Sequence, residues 1–372
     1  MLLQEKSIFI NHKYIYIYIY IFVLFLSIRS LLKSAFSCVT TISHGIYFKH
    51  MRSFPRPTVL VSRCLEFDKV RYNGQVIPSQ IVRDLIPLVD FIKVCPEVEI
   101  GLGVPRDTLR IVRQNGEHRL IQPKTGEDLT ERMNSFTTRF LDNIDHIDGF
   151  IYKGLSPSMG VDDVKIYSGV SMSPVIGRGA GLFAGQVIVR YEGYPIEENE
   201  RLRNSHIRHH FLTQLYAFTN FRYVKETSSY DELLSFHKNN RFLFMSYSNS
   251  VFTEMSELIR REIEIAQMIK DYESLLKQLL KKPGSLALKM DALRNMFFAF
   301  ECENSEEISF FEEMLGRFSN NRISLDAVIE VMRMFASRSF GEDAYEDTFL
   351  YPYPEELKAP ADDKREKDYW VK

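Results

Sequence analysis

Two cysteines and a serine-rich loop stand at the ends of three short apolar runs. Cys64 follows "TVLVS", Cys95 closes "VDFIKV", and "SPSMG" (Ser156 to Gly160) follows "GFIYKG". Deprotonated thiols suit soft metals and iron–sulfur clusters, and hydroxyls can position water or pass a proton. All three runs read as strands, and the β-branched "TVLVS" reads as a buried one. In an open sheet of parallel strands, ligands collect beyond the carboxyl ends, so three loops far apart in the chain are brought to one point. The alternative is structural. Short strands commonly end in polar loops, and unpaired cysteines are among the most buried residue types.

The elements that must position these loops can be read from spacing. "SQIVRDLIPLV" places Ile81, Leu85 and Leu88 on one helical face, between the first two strands. A hairpin is expected around Asn115-Gly116. Leu129, Met133, Phe136, Phe140, Ile144 and Ile147 recur three or four apart, which predicts a long amphipathic helix with Thr125 as a possible cap. "MSPVIGRGAGLFAGQVIV" is glycine-rich but lacks the Lys-Ser/Thr ending of a phosphate loop, so it reads as a turn before a helix or strand. After Pro195 the pattern becomes helical and is broken at Pro283-Gly284. The expected fold is α/β, a Rossmann-like open and mainly parallel sheet over residues 56–192, followed by an all-α region over 195–340. The Pro-, Tyr- and charge-rich segment 341–372 is expected on the surface.

A chain of 372 residues allows two domains, each with its own core. The formal net charge of −2 excludes a global field that would draw the protein to nucleic acid or membrane, so such contacts need local patches. Four cysteines (Cys38, Cys64, Cys95 and Cys302) are too few and too dispersed for a disulfide framework; reduced thiols or a metal site, and a cytoplasmic location, are expected. Residues 1–50 include an uncharged stretch from Tyr14 to Ile28, short for a membrane span of about 20 residues. The alternating Tyr-Ile run reads as translated non-coding sequence ahead of a natural start at Met51. A signal or anchor is the alternative, and only that one brings a membrane partner.

Three segments carry a family resemblance. "VSRCLEFDKVRYNG", "VCPEVEIGLGVPR" and "IYKGLSPSMG" resemble the three motifs of the TudS-like thiouracil desulfidases, the third of which reads S-P-S-C-G in that family. The helical part resembles the domain fused to it in YbgA-like two-domain proteins, with Phe236, His237, Arg241 and Met245 at the F-H-x-x-x-K/R-x-x-x-M core. The match runs from about Pro57 to Ser337. The resemblance implies a desulfidase acting on a thiolated pyrimidine, either free thiouracil or 4-thiouridine in tRNA. It implies a 4Fe–4S cluster on three cysteines, whose open iron acts as a Lewis acid toward the thiocarbonyl sulfur. Cys64 and Cys95 fall on two ligand positions, and Met159 occupies the third. A neutral thioether is a much poorer ligand for such a cluster than a thiolate. The alternative function is therefore a non-catalytic RNA-binding or scaffold protein that has lost the cluster.

The same resemblance nominates further residues. Ser156 is a catalytic candidate that would donate to the departing sulfur or position water, with Ser158 beside it; Ser-Pro-Ser is also ordinary turn chemistry. Glu97 is a candidate proton shuttle if buried beside the cluster, and otherwise a solvated or paired carboxylate. Arg71, Tyr72 and Asn73 would line the base pocket, unless "RYNG" is simply a turn. Arg106 would contact a phosphate or carboxylate, or form an ion pair. For tRNA backbone, Arg201, Arg203, Arg208, His237 and Arg241 are the candidates, with aromatic neighbours Tyr216 and Phe221 that would equally serve a core. His206 and His210 have a helical metal spacing but lack a third ligand. DNA is not an expected partner, and the sequence leaves the oligomeric state open.

Overall fold

The computed structural model describes residues 52–302, 304–339 and 341–359. The expected extension over residues 1–50, with Cys38, lies outside them. No helix among the described residues is long and apolar enough to cross a membrane.

The first sheet has four parallel strands. They are β1 (Thr58–Ser62), β2 (Asp90–Val94), β5 (Gly149–Tyr152) and β8 (Ile196–Glu198), in the order β2-β1-β5-β8. Side chains alternate across it, as the period of two requires. Val59, Val61 and Ile151 pack with helix α1 (Gln80–Leu85), while Leu60, Phe150 and Tyr152 pack on the other face with α3 (Thr130–Asp142) and α4 (Leu182–Arg190). Both faces are covered, which is why β1 and β5 read as unbroken apolar runs. From β1 the chain first moves outward to β2, and later returns to the other flank of β1 as β5. The chain thus places strands on one flank of β1 and then on the other, which opens a crevice at its carboxyl end.

A second sheet flanks this layer, with β3 (Arg110–Gln114), β4 (Glu117–Ile121), β6 (Val164–Tyr167) and β7 (Val175–Gly179) in the order β4-β3-β6-β7. The hairpin at Asn115-Gly116 is its β3-β4 pair. The long helix begins at Thr130, not near Thr125. Asp128 Oδ1 accepts from the Thr130 amide at 2.9 Å, while Thr125 is held in a turn with Gln122. The glycine-rich segment forms β7 and then α4.

Beyond Pro195 the chain is helical only after β8, so the sheet extends past residue 192. Helix α5 (Ser205–Thr227) then joins the two regions. Asn204 caps it, its side chain accepting from the amides of His206 and Ile207. At 23 residues it spans roughly 35 Å. Phe211, Leu212, Leu215 and Tyr216 pack on the sheet, whereas Ala217, Phe218, Phe221 and Val224 enter the helical core. One helix thus supplies both cores, and the described residues from Ser53 onward form one compact unit. Asp148, buried at the start of β5, pairs with Arg222 of this helix at 3.0 Å. Of the expected surface tail, the described part, residues 341–359, is not a surface segment. Phe349, Leu350, Tyr353 and Leu357 are all buried, and they anchor it against both regions.

Three histidines are built into these cores. Tyr353, Tyr247 and Tyr272 place their hydroxyls 2.8, 3.0 and 3.0 Å from Nδ1 of His209, His210 and His237 respectively. Burial pushes each imidazole down to about 4 from an ordinary 6.5. Lowered folded-state values mean that the unfolded chain binds more protons below 6.5. Their stabilising contribution is therefore complete above about pH 6.5 and is lost as the pH falls toward about 4. The urea midpoint is expected to drop between pH about 6.5 and about 5, above the range where carboxylates titrate. A midpoint flat across that window would contradict this account.

Candidate functional site

The three loops meet. Cys64, Cys95 and the Ser156–Met159 loop line a single cavity of about 310 Å³ at the carboxyl ends of β1, β2 and β5. That is the small end of the range for small-molecule sites, about 300–1,000 Å³. The register explains the convergence. Ser62 pairs with Val94 across β1-β2, and the Arg63 amide donates to the Val94 carbonyl at 2.8 Å, so Cys64 and Cys95 leave adjacent strands side by side. From β5, the Lys153 amide donates to Ser62 Oγ at 2.9 Å and ties the third loop to the first.

The Ser156–Gly160 loop is fastened from several sides. Ser156 Oγ accepts from the Met159 amide at 3.2 Å, and the Gly160 amide donates back to the Ser156 carbonyl at 2.8 Å. The first turn of α4 holds it from outside, with the Leu182 and Ala184 amides donating to Pro157 and Ser158 carbonyls at 3.1 and 3.0 Å. Gly181 makes this approach possible, because a Cβ there would stand 2.5 Å from the Ser158 carbonyl carbon. Glu198 on β8 accepts from the Val161 amide at 2.8 Å.

Behind the cavity wall runs a polar chain. Arg106, its side chain 4 % exposed, holds Glu97 through Nε and Nη2 at 2.8 and 2.7 Å and donates to the carbonyls of Val70 and Gly103. Ser158 Oγ donates to Glu97 Oε1 at 2.8 Å, and Ser156 Oγ lies 3.1 Å from Ser158 Oγ. Glu97 and Ser158 are buried and Ser156 is half-buried, so the chain leads from the interior to the cavity. Both half-buried cysteines are reduced. Burial and the neighbouring Cys95 push the Cys64 thiol up to about 11; Cys95 is also raised, by burial and to a lesser degree by Glu97. Arg106 Nη2 stands 3.7 Å from Cys95 Sγ.

Of the residues nominated for a base, Arg71 and Tyr72 line the cavity, with the guanidinium 5.1 Å from the ring centroid. Asn73 does not line it; its amide closes a local turn with Gln75. Arg106 lines it too, but its guanidinium is committed to Glu97. Sequence reasoning passed over Lys153, which lines the cavity and pairs with Glu200 at 2.6 Å. A cation just past an apolar strand that ends at the same point was the available signal.

The residues nominated for RNA fall on four successive elements. Arg208 is buried against Asp84 at 2.9 Å, and Arg201 pairs with Glu197 at 2.7 Å. His237 also approaches Ser256 Oγ at 3.1 Å, and Arg241 covers the Phe242 ring at 4.2 Å. Arg203 is exposed. Tyr216 and Phe221 are core residues, and His210 is occupied by Tyr247.

A 4Fe–4S cluster of the kind the motifs imply needs three thiolates here. Two of the three side chains can supply one. Met159 is 4 % exposed and packs among apolar residues of the sheet and α4, and its sulfur has no proton to lose. Cys302 lies in the helical region, with its thiol near Glu307. The residues present therefore do not fit that cluster.

The chain is similar to several known families and proteins. A family described as 2-thiouracil desulfurase matches residues 59–199, and a protein of unknown function family (DUF1722) matches residues 241–354. The uncharacterized protein YbbK of Bacillus subtilis (strain 168) is 33% identical over 150 residues, covering 38% of this chain and 96% of that protein. A solved 4Fe–4S-dependent thiouracil desulfidase, TudS, is 26% identical, with a TM-score of 0.31, over 40% of this chain and 94% of its own. The first match runs from the second residue of β1 to the residue after β8, so it takes in all three loops of the cavity and nearly all of the parallel sheet. The chain belongs to the 2-thiouracil desulfurase family, with a DUF1722 region behind the family domain.

Proposed function

We propose that the cavity receives a thiolated pyrimidine, as the free base or as 4-thiouridine in tRNA, and that it retains the acid–base half of a desulfidase. The observation that carries this reading is the Arg106–Glu97–Ser158–Ser156 chain ending at a cavity that two cysteines share. Desulfidation exchanges C=S and water for C=O and hydrogen sulfide, without net electron transfer. Water held at the Ser156 hydroxyl can pass a proton through Ser158 to Glu97 as its oxygen attacks the ring carbon. Arg106 fixes the carboxylate so that Oε1 faces Ser158. Arg71 and Tyr72 offer a cation and a ring face to the pyrimidine. The sulfur-accepting half is one thiolate short because of Met159. In the encoded protein, substrate binding survives and sulfur exchange is slow. The non-catalytic reading differs in keeping RNA affinity without this preference for a thiocarbonyl.

The test is calorimetric titration of the full chain with 2-thiouracil, 4-thiouracil and uracil, and separately with tRNA carrying or lacking 4-thiouridine. A thio-base or thiolated tRNA is expected to bind at least about tenfold more tightly than its oxo counterpart, a difference of about 1.4 kcal/mol. Arg71→Ala is expected to weaken that binding. Equal affinity for the sulfur and oxygen forms in both series would overturn the reading. tRNA binding indifferent to thiolation would favour the RNA-binding alternative.

A further inference from the structure

Three sulfur-bearing side chains, Cys64, Cys95 and Met159, line the same cavity. Among the described residues no set of three His, Cys, Asp or Glu side chains converges to hold a metal. Glu97, the carboxylate in this wall, has Oε1 engaged by Ser158 and Oε2 by Arg106. A four-coordinate zinc set of thiolate, imidazole and carboxylate donors is therefore missing. What remains is a soft set of two thiols and a thioether, the donor types that select a monovalent d10 ion.

We propose that this cavity binds a single cuprous ion, held by Cys64 and Cys95 with Met159 as the third donor. The site does not depend on the thiopyrimidine reading; it follows from the sulfur set that the cluster does not fit. Binding displaces one proton from each thiol and leaves the centre with a net charge of −1. Arg106, 3.7 Å from Cys95 Sγ, and Arg71 and Lys153 near Cys64 offset part of that charge, although Arg106 is shared with Glu97 and Lys153 with Glu200; the positive charge of the copper ion itself is what holds both thiolates. No redox step is involved. The loop carrying Met159 is already pinned by Ser156 and by the first turn of α4, so little ordering is needed when the thioether binds.

The probe is Cu(I) itself, titrated anaerobically into the metal-free full chain in competition with a chromogenic Cu(I) chelator. The encoded protein is expected to withhold about one equivalent from the chelator, with about three sulfur scatterers at the copper X-ray edge. Cys64→Ser and Cys95→Ser are each expected to weaken binding about 100-fold or more, and Met159→Leu about 10-fold. Leu nearly conserves the volume of Met, so the last variant removes the donor without emptying the wall. Circular dichroism of each variant separates lost binding from lost fold. Binding no tighter than that of a Cys64→Ser, Cys95→Ser double variant would overturn the proposal. So would Met159→Leu behaving as the encoded protein, or only two sulfurs at the copper. Loss of thiopyrimidine preference with copper binding intact would count against the functional reading alone.

Discussion

Met159→Cys turns this chain into one that takes up an iron–sulfur cluster. Anaerobic reconstitution with iron and sulfide is expected to load the variant with about four irons per chain and the broad visible absorbance of a cubane. The encoded protein, treated alongside, is expected to retain far less iron after desalting. The reason is donor chemistry more than shape. Position 159 lies in the cavity wall with Cys64 and Cys95, and its loop is fixed by Ser156 and by the α4 turn over Gly181. A thiol there supplies the anionic ligand that a thioether cannot. The substitution also shortens a buried side chain, and the cost of such a change grows with the volume of the gap it leaves. A lower melting temperature for the metal-free variant, recovered on loading, is part of the expected result. Equal iron content in both proteins would show that the third position is not a ligand.

Glu97→Gln is expected to lower sulfide release about 10²–10⁴-fold in the Met159→Cys background, the usual range for a general acid or base. Thiouracil affinity should change much less, because Glu97 lies behind Ser158 in the proton path. Removing the carboxylate charge also leaves Arg106 buried without its partner, which by itself costs about 3–5 kcal/mol. Ser158→Ala provides the second reading. It breaks the link between Glu97 and Ser156 and leaves the Arg106–Glu97 pair intact. Both variants are expected to lower kcat with KM nearly constant. A KM effect alone in Ser158→Ala would assign the chain to structure and not to proton transfer.

Much of this site was legible because the strands of the parallel sheet read as short apolar runs, most plainly β1 and β5, which are buried on both faces. "TVLVS", "VDFIKV" and "GFIYKG" place Cys64, Cys95 and Ser156 at three carboxyl ends before any coordinates are consulted. What escaped had a physical reason in each case. β8 is a three-residue strand, "IEE", whose charges resemble the helical sequence that follows. β6 alternates but is only four residues long, and β7 is largely exposed and carries two glycines, so neither stands out as a strand in the sequence. The Pro- and charge-rich composition after Gly341 concealed Phe349, Leu350, Tyr353 and Leu357, which are buried without a helical or strand period. Arg106 and Asn73 show a different limit. Sequence gives a side chain's type but not its partner, and a buried Glu97 claimed the guanidinium while Gln75 claimed the amide. Arg208 was likewise drawn into a pair, with Asp84.

The most direct measurement is sulfide release by reconstituted Met159→Cys, given 2-thiouracil, 4-thiouracil and 4-thiouridine-containing tRNA in turn, with the oxo product quantified in parallel. The account predicts sulfide and oxo pyrimidine in equal amounts from at least one of them, over many turnovers, and little from the encoded protein. A variant that carries its full cluster, binds thiopyrimidine and still releases no sulfide from any of the three would contradict it.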